Sequence, residues 1–156
     1  MAIFFFDAAD DAGWEPLEVD QDDPNAYWAS GGFLRDAPVD ARATFEKAIA
    51  VSTSVAPGFK WRGRRIRAGF AVPTRHQNMR QLRIVTRGSL QVEYTPQDAS
   101  TPRAEIVEAG GFWTVEAGQP YRMTAGSDGV SYMECWDGDP SLVETYWYDD
   151  PAWVRR

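Results

Sequence analysis

The sequence predicts a mainly β protein, a barrel or sandwich of short strands behind an irregular N-terminal extension that carries one short helix. Three observations lead there. From position 64 onward, stretches rich in β-branched and aromatic residues recur at short, regular intervals with turn signals between them, the pattern of sandwiches and barrels. Before that point the chain is dense in Asp, Gly, Pro and Ala, and only one stretch has helical spacing. A length of 156 residues without repeats or low-complexity tracts suits one domain with a real core. The expected division is an extension over 1–63, a barrel over 64–148 and a tail over 149–156.

Taken in order, Asp7 to Asp40 reads as an irregular lead-in with one short strand, its turns marked by Asp22-Asp23-Pro24-Asn25, Ser30-Gly31-Gly32 and Ala37-Pro38. Trp14, Tyr27, Trp28 and Phe33 are its expected anchors. The helix falls at about 39–50. Val39, Ala43, Phe45, Ala48 and Ile49 share a face there, and Pro38 suits the first turn. Arg64 to Val72 alternates, with Ile66, Ala68 and Phe70 against Arg65, Arg67 and Gly69. Leu82–Thr86, the turn Arg87-Gly88-Ser89 and Leu90–Thr95 read as a hairpin. After the polar loop from Pro96 to Pro102, strands are expected at Arg103–Glu108, Phe112–Val115, Tyr121–Thr124, Val130–Trp136 and Leu142–Tyr148.

Composition excludes several functions. The formal charge of -7 repels nucleic acid and anionic membranes, and simple solubility explains it. The N-terminus, Met1-Ala2-Ile3-Phe4-Phe5-Phe6-Asp7, has no basic segment and does not read as a secretory leader. No stretch approaches the roughly 20 apolar residues of a membrane span, so a soluble, cytoplasmic protein is expected. The single cysteine, Cys135, allows no intrachain disulfide and is favoured as a packed structural thiol over a nucleophile.

Two glycine-punctuated frames carry the most information. The first is Gly69-x5-Arg75-x-Gln77-x3-Gln81-x6-Gly88, and the second is Gly110-x5-Glu116-x-Gly118-x2-Tyr121. They resemble the two cupin motifs, G-x5-H-x-H-x3,4-E-x6-G and G-x5-P-x-G-x2-H-x3-N, over about Arg64 to Trp136. The resemblance implies a double-stranded β-helix (jelly-roll) barrel with an inward-facing ligand site. The family's metal ligands are replaced by Arg75, Gln77, Gln81 and Tyr121, with Glu116 for the proline and Ala125 for the final Asn. Imidazole and carboxylate bind first-row divalent metals, whereas Arg has no acceptor and a phenol ionises only near pH 10. The expectation is therefore a cavity without a metal or other cofactor.

Strand parity puts Arg75, Gln77, Gln81, Arg83 and Val85 on the inner face, met by Tyr121 and Met123. Such a cluster suits a carboxylate or carbonyl ligand, because guanidinium forks onto carboxylates. Pairing of these arginines with Glu93, Glu116 or Glu134 at the rim is the alternative. The same parity turns His76, the only histidine, outward as a surface or interface residue. A register shifted by one would place it at the second ligand position, and its unperturbed pKa makes it a possible proton-transfer group. Glu134 lies in the apolar run Val130 to Trp136. Buried there it would have a raised pKa, the tuning of a general acid–base, while the opposite parity turns it to solvent.

The aromatic tail from Tyr146-Trp147-Tyr148 to Trp153 reads as a packing and dimerisation surface, with a lid over the pocket as the other reading. Three functions stay open. The first is a metal-independent enzyme of isomerase, cyclase or lyase type acting on a carboxylate- or carbonyl-bearing metabolite. In it Arg75, Gln77, Gln81 and Arg83 bind, and Tyr121, Glu134 or His76 moves the proton. The second is a non-catalytic binding or sensing module, and the third a metal cupin with misregistered ligands. The expected partners are a small anionic or carbonyl ligand and a second copy in a homodimer, with neither nucleic acid nor membrane.

Overall fold

A computed structural model describes residues 3–17, 39–53 and 59–148. A 3-10 turn at Asp11–Gly13, capped by Asp10, leads into strand β1 (Trp14–Pro16). Helix α1 (Val39–Ala48) runs directly into β2 (Ile49–Ser52). The helix thus ends two residues before the expected boundary, because Ile49 and Ala50 pair with Ile66 and Arg65 of the next strand. Phe45 at its end is buried and meets the Phe70 ring edge-on at 5.8 Å. Tyr27, Trp28, Phe33 and the tail with Trp153 lie outside the described residues.

The remaining strands are β3 (Trp61–Ile66), β4 (Ala71–Gln77), β5 (Gln81–Tyr94), β6 (Arg103–Glu108), β7 (Phe112–Val115), β8 (Tyr121–Trp136) and β9 (Thr145–Trp147). They form one curled antiparallel sheet in the order β1-β2-β3-β8-β4-β9, with β5 pairing β8 and carrying β6 and β7. This is a jelly-roll barrel, mainly β with one short helix, as the sequence predicts. The sheet reaches back before position 64, since β2 and β3 join it through β8.

Four of the expected features differ. The stretch from Arg64 to Val72 is not one strand: β3 stops at Ile66, and β4 begins at Ala71 after a turn containing Gly69. The hairpin at Arg87-Gly88-Ser89 is instead a bend inside the continuous β5, where the pairing with β8 slips on both sides of Gly88. Likewise Tyr121–Thr124 and Val130–Trp136 are the two ends of the single long strand β8. The last expected strand shrinks to Thr145–Trp147 because a 3-10 turn occupies Pro140–Leu142.

The cause of the long bent strands is the close approach of two glycines. Gly88 sits at φ +73°, where a side chain is strained, and a Cβ on it would come within 2.1 Å of the Gly129 carbonyl oxygen. A left-handed residue kinks a strand at a bulge as readily as it turns a hairpin. The four frame glycines, Gly69, Gly88, Gly110 and Gly118, all have positive φ, so the frame marks the corners of the barrel. Between those corners the core fills with Val72, Val85, Leu90, Val92, Val115, Tyr121 and Met123.

Candidate functional site

The barrel interior is more ionic than its apolar frame suggests. Arg75 and Gln77 reach inward from β4, Gln81 and Arg83 from β5, and Tyr121 and Glu134 from β8, all buried. Alternation sets the pairs on β4 and β5, since residues two apart share a face, while on β8 the phase changes between Ala125 and Val130 and so turns both Tyr121 and Glu134 inward. Arg64 of β3 and Arg62 beside it on the same face are buried as well.

Glu134 is the hub. Its Oε1 accepts from Arg83 Nη2 at 2.7 Å and Nε at 3.0 Å, and its Oε2 accepts from Arg64 Nε at 3.1 Å. Arg83 Nη2 also donates to Gln81 Oε1 at 2.5 Å and to the Tyr121 hydroxyl at 2.8 Å. The Tyr121 hydroxyl in turn donates to Gln77 Oε1 at 2.8 Å. Arg75 lies 4.5 Å over the Tyr121 ring, donates from Nη1 to the Pro73 carbonyl at 3.2 Å, and points Nη2 at Met123 Sδ. Arg83 stands 5.1 Å from the Tyr121 ring and 4.8 Å from the Trp113 ring. The interior is a column of guanidinium and aromatic groups.

The electrostatics correct one expectation. Glu134 is buried, but its pKa is lowered rather than raised. Burial pushes it up, and the charges and hydrogen bonds of Arg83 and Arg64 outweigh burial. It is therefore an ionised counter-charge, not a poised acid. Arg83 is held above its ordinary value: burial opposes its charge, while Tyr121 and then Glu134 prevail. Arg75 is lowered, chiefly by burial, with Arg83 adding repulsion. The Tyr132 phenol, buried beside Glu134, is raised to about 12.

His76 stands apart from this cluster. It faces outward from β4, its ring stacked on Tyr146 at 4.7 Å and its Nδ1 hydrogen-bonded to the Tyr148 hydroxyl. Burial lowers its pKa. Met133 and Cys135 also take the outer face, where they are half-buried, and burial followed by Glu134 raises the Cys135 thiol. Of the proposed cation partners, Glu93 and Glu116 approach Arg122 (3.8 Å) and Arg80 (4.0 Å) at the surface.

Two cavities bear on ligand binding. One, of about 440 Å³, opens at the barrel mouth and is walled by Val92, Tyr94, Val107, Trp113, Val115 and Tyr121. Glu105, Glu116 and Gln119 lie at its edge, and no Lys or Arg is among its described lining residues. The Trp113 indole Nε1 is buried with no hydrogen-bond partner among the described residues, and so is Arg83 Nη1 behind it. The other, of about 490 Å³, lies at the opposite end, where Lys47, Arg65, Arg67 and Arg87 face Glu15, Glu46 and Asp128. Arg65 is further tied to Asp11 at 2.9 Å, so that end is charge-compensated, and the mouth cavity is the better ligand candidate.

Sequence reasoning missed Arg64 and Trp113. Both were within reach: Arg64 is two residues from the inward Ile66, and Trp113 two from the inward Val115.

No known protein-family model matches this chain, and no curated protein matches it in sequence. Its fold is similar to solved structures of oxalate decarboxylase from Bacillus subtilis. The structure at pH 4.6 aligns with a TM-score of 0.54 at 15% identity, over 64% of this chain and 28% of that one. An Arg-to-Ala variant aligns at 0.53 and 15%, over 64% and 28%. A Trp-to-Phe variant aligns at 0.52 and 12%, over 65% and 28%. The chain thus spans little more than a quarter of those proteins, and the likeness is one of fold, the cupin jelly roll.

The cupin metal is bound by imidazoles and a carboxylate, and the residues present do not fit it. Arg75 repels a cation, Gln77 and Gln81 offer neutral amide oxygens already engaged, and the Tyr121 hydroxyl is held between Arg83 and Gln77. Among the described residues no three of His, Cys, Asp and Glu converge on a point.

Proposed function

We propose that this protein is a metal-independent small-molecule-binding cupin-fold module, whose ligand lies in the barrel mouth on Trp113 and Tyr121. The observation that carries the reading is the cavity itself, about 440 Å³ with a largely apolar and aromatic wall and polar groups at its edge. Sites for small ligands have this make-up, an apolar wall with a few placed polar groups. The edge carboxylates Glu105 and Glu116 disfavour an anion, and the interior arginines stand behind the aromatic wall. A neutral carbonyl-bearing ligand therefore suits the cavity better than a carboxylate.

Thermal shift with a panel of neutral ketones, amides and lactones beside matched carboxylates tests this, because a ligand of the folded state raises apparent stability. The neutral compounds are expected to raise Tm more. Trp113→Phe, which leaves a smaller ring and thins the aromatic wall, is expected to weaken the best binder about 4- to 15-fold, the worth of roughly one to two buried methylene-sized contacts. Preference for carboxylates, or an unchanged Trp113→Phe, would count against the pocket. Stoichiometric iron, manganese or zinc in protein purified without an affinity tag would defeat the metal-independent part.

One observation favours turnover of the isomerase, cyclase or lyase type as a second reading. Tyr121 both lines the cavity and exchanges hydrogen bonds with Arg83 and Gln77, so its phenol has a cation on one side and an acceptor on the other. Product formed from the best binder by the wild type, and lost in Tyr121→Phe, would select it.

A further inference from the structure

Three oxygens from two strands converge on one nitrogen inside the barrel. Arg83 Nη2 lies 2.5 Å from Gln81 Oε1, 2.7 Å from Glu134 Oε1 and 2.8 Å from the Tyr121 hydroxyl. Arginine only donates, so the Gln81 amide must present its oxygen. The Tyr121 hydroxyl points its proton at Gln77 Oε1 and leaves a lone pair for Arg83. Nη2 carries two hydrogens for three acceptors, while Nη1 has no partner among the described residues. Nε adds a second bond to Glu134 Oε1 at 3.0 Å, so all the acceptors among the described residues lie along the Nε–Nη2 edge of the guanidinium and a carboxylate there balances its charge. Two of the three acceptors, Gln81 and Tyr121, also stand at positions of the cupin ligand frame.

We propose that the Arg83 guanidinium is a built-in cation, and that Gln81, Tyr121 and Glu134 form an oxygen-lined site for a planar cation at the centre of the barrel. The proposal deepens the metal-independent reading and rests on it: the chain supplies from β5 the charge that the fold otherwise takes from solution. Glu134 makes the site neutralising, and Arg64 on its other oxygen holds the carboxylate in place.

Removing the side chain should leave a guanidinium-shaped vacancy. Arg83→Ala is expected to melt well below the wild type, and about 10 mM guanidinium chloride, far under denaturing levels, to raise its Tm by mass action. Urea, neutral and of the same shape, should not, and guanidinium should not raise the wild type. Equal rescue by urea, or none by guanidinium, overturns the proposal. Should Arg83→Ala not fold, Arg83→Lys against Arg83→Met decides. The lysine keeps the charge and is expected to be the more stable, and a lysine variant no more stable than the methionine one overturns the built-in cation. No organic ligand enters these tests, so their failure leaves the mouth cavity untouched. Bound metal in the wild type would instead defeat the reading beneath both.

Discussion

The two faces of β4 hold opposite kinds of chemistry. Arg75 and Gln77 enter the barrel and join a buried network in which several arginines share one carboxylate, Glu134, whereas His76 between them leans outward on Tyr146 and Tyr148. Inside, Arg83 and Arg64 hold Glu134 ionised, and burial holds the Tyr132 phenol protonated. Outside, the group nearest neutrality is stacked on a tyrosine and reachable by solvent. The His76 imidazole thus lies on the outer face, away from the proposed ligand cavity. That separation is why binding outranks catalysis as the reading of this barrel.

The largest way to break the contrast is Glu134→Gln. It removes the only buried carboxylate among the described core residues and leaves Arg64 and Arg83 facing each other across a neutral amide. A buried pair stripped of one partner typically loses about 3–5 kcal/mol, which urea unfolding would read. The pH dependence has a definite sign. With the folded pKa depressed, Glu134 contributes stability that is full above its unfolded value of about 4.3 and is lost as pH falls through the folded value. Stability of the wild type should therefore fall more steeply below about pH 4 than that of Glu134→Gln. A loss under about 1 kcal/mol would mean that the cluster is loosely held and hydrated.

Tyr121→Phe sharpens the same contrast at smaller scale. The ring stays beneath Arg75 and edge-on to Trp113, and only the hydroxyl that links Arg83 to Gln77 is lost. Leaving two buried polar groups one partner short costs about 1–3 kcal/mol. A neutral result in urea unfolding would mean that Gln77 and Arg83 find each other directly and that the hydroxyl is not structural.

How much of this was readable beforehand follows from the physics of each signal. Glycines at positive φ and a two-residue alternation are local properties, so the barrel corners and the inward placement of Arg75, Gln77, Gln81, Arg83 and Tyr121 could be read from the chain. Gly88 was misread as a turn because a hairpin and a bulge ask the same of one residue. Only its distant neighbour Gly129, which presses on it across the sheet, distinguishes them. The pKa of Glu134 failed for a similar reason: an apolar run announces burial, but Arg64 and Arg83, which reverse the shift, come from other strands. The aromatic mouth depends on the juxtaposition of β5, β6, β7 and β8 and has no linear signature.

His76→Phe gives the smallest expected effect and bears on the outer face alone. It keeps the stacked ring over Tyr146 and removes the nitrogen that meets the Tyr148 hydroxyl. Near pH 8 the change should stay within about 0.5 kcal/mol, as for most surface substitutions. Burial lowers the His76 pKa, so the folded state binds its proton less readily than the unfolded chain does. Its contribution is full above about pH 6.5 and is lost as pH falls through the folded value. Melting temperatures taken from pH 8 to pH 5 should decline in the wild type below about pH 6.5 and run flatter in His76→Phe. Parallel curves would show that the imidazole is as easily protonated folded as unfolded, and the outer face would then lose its claim to respond to pH before the interior does.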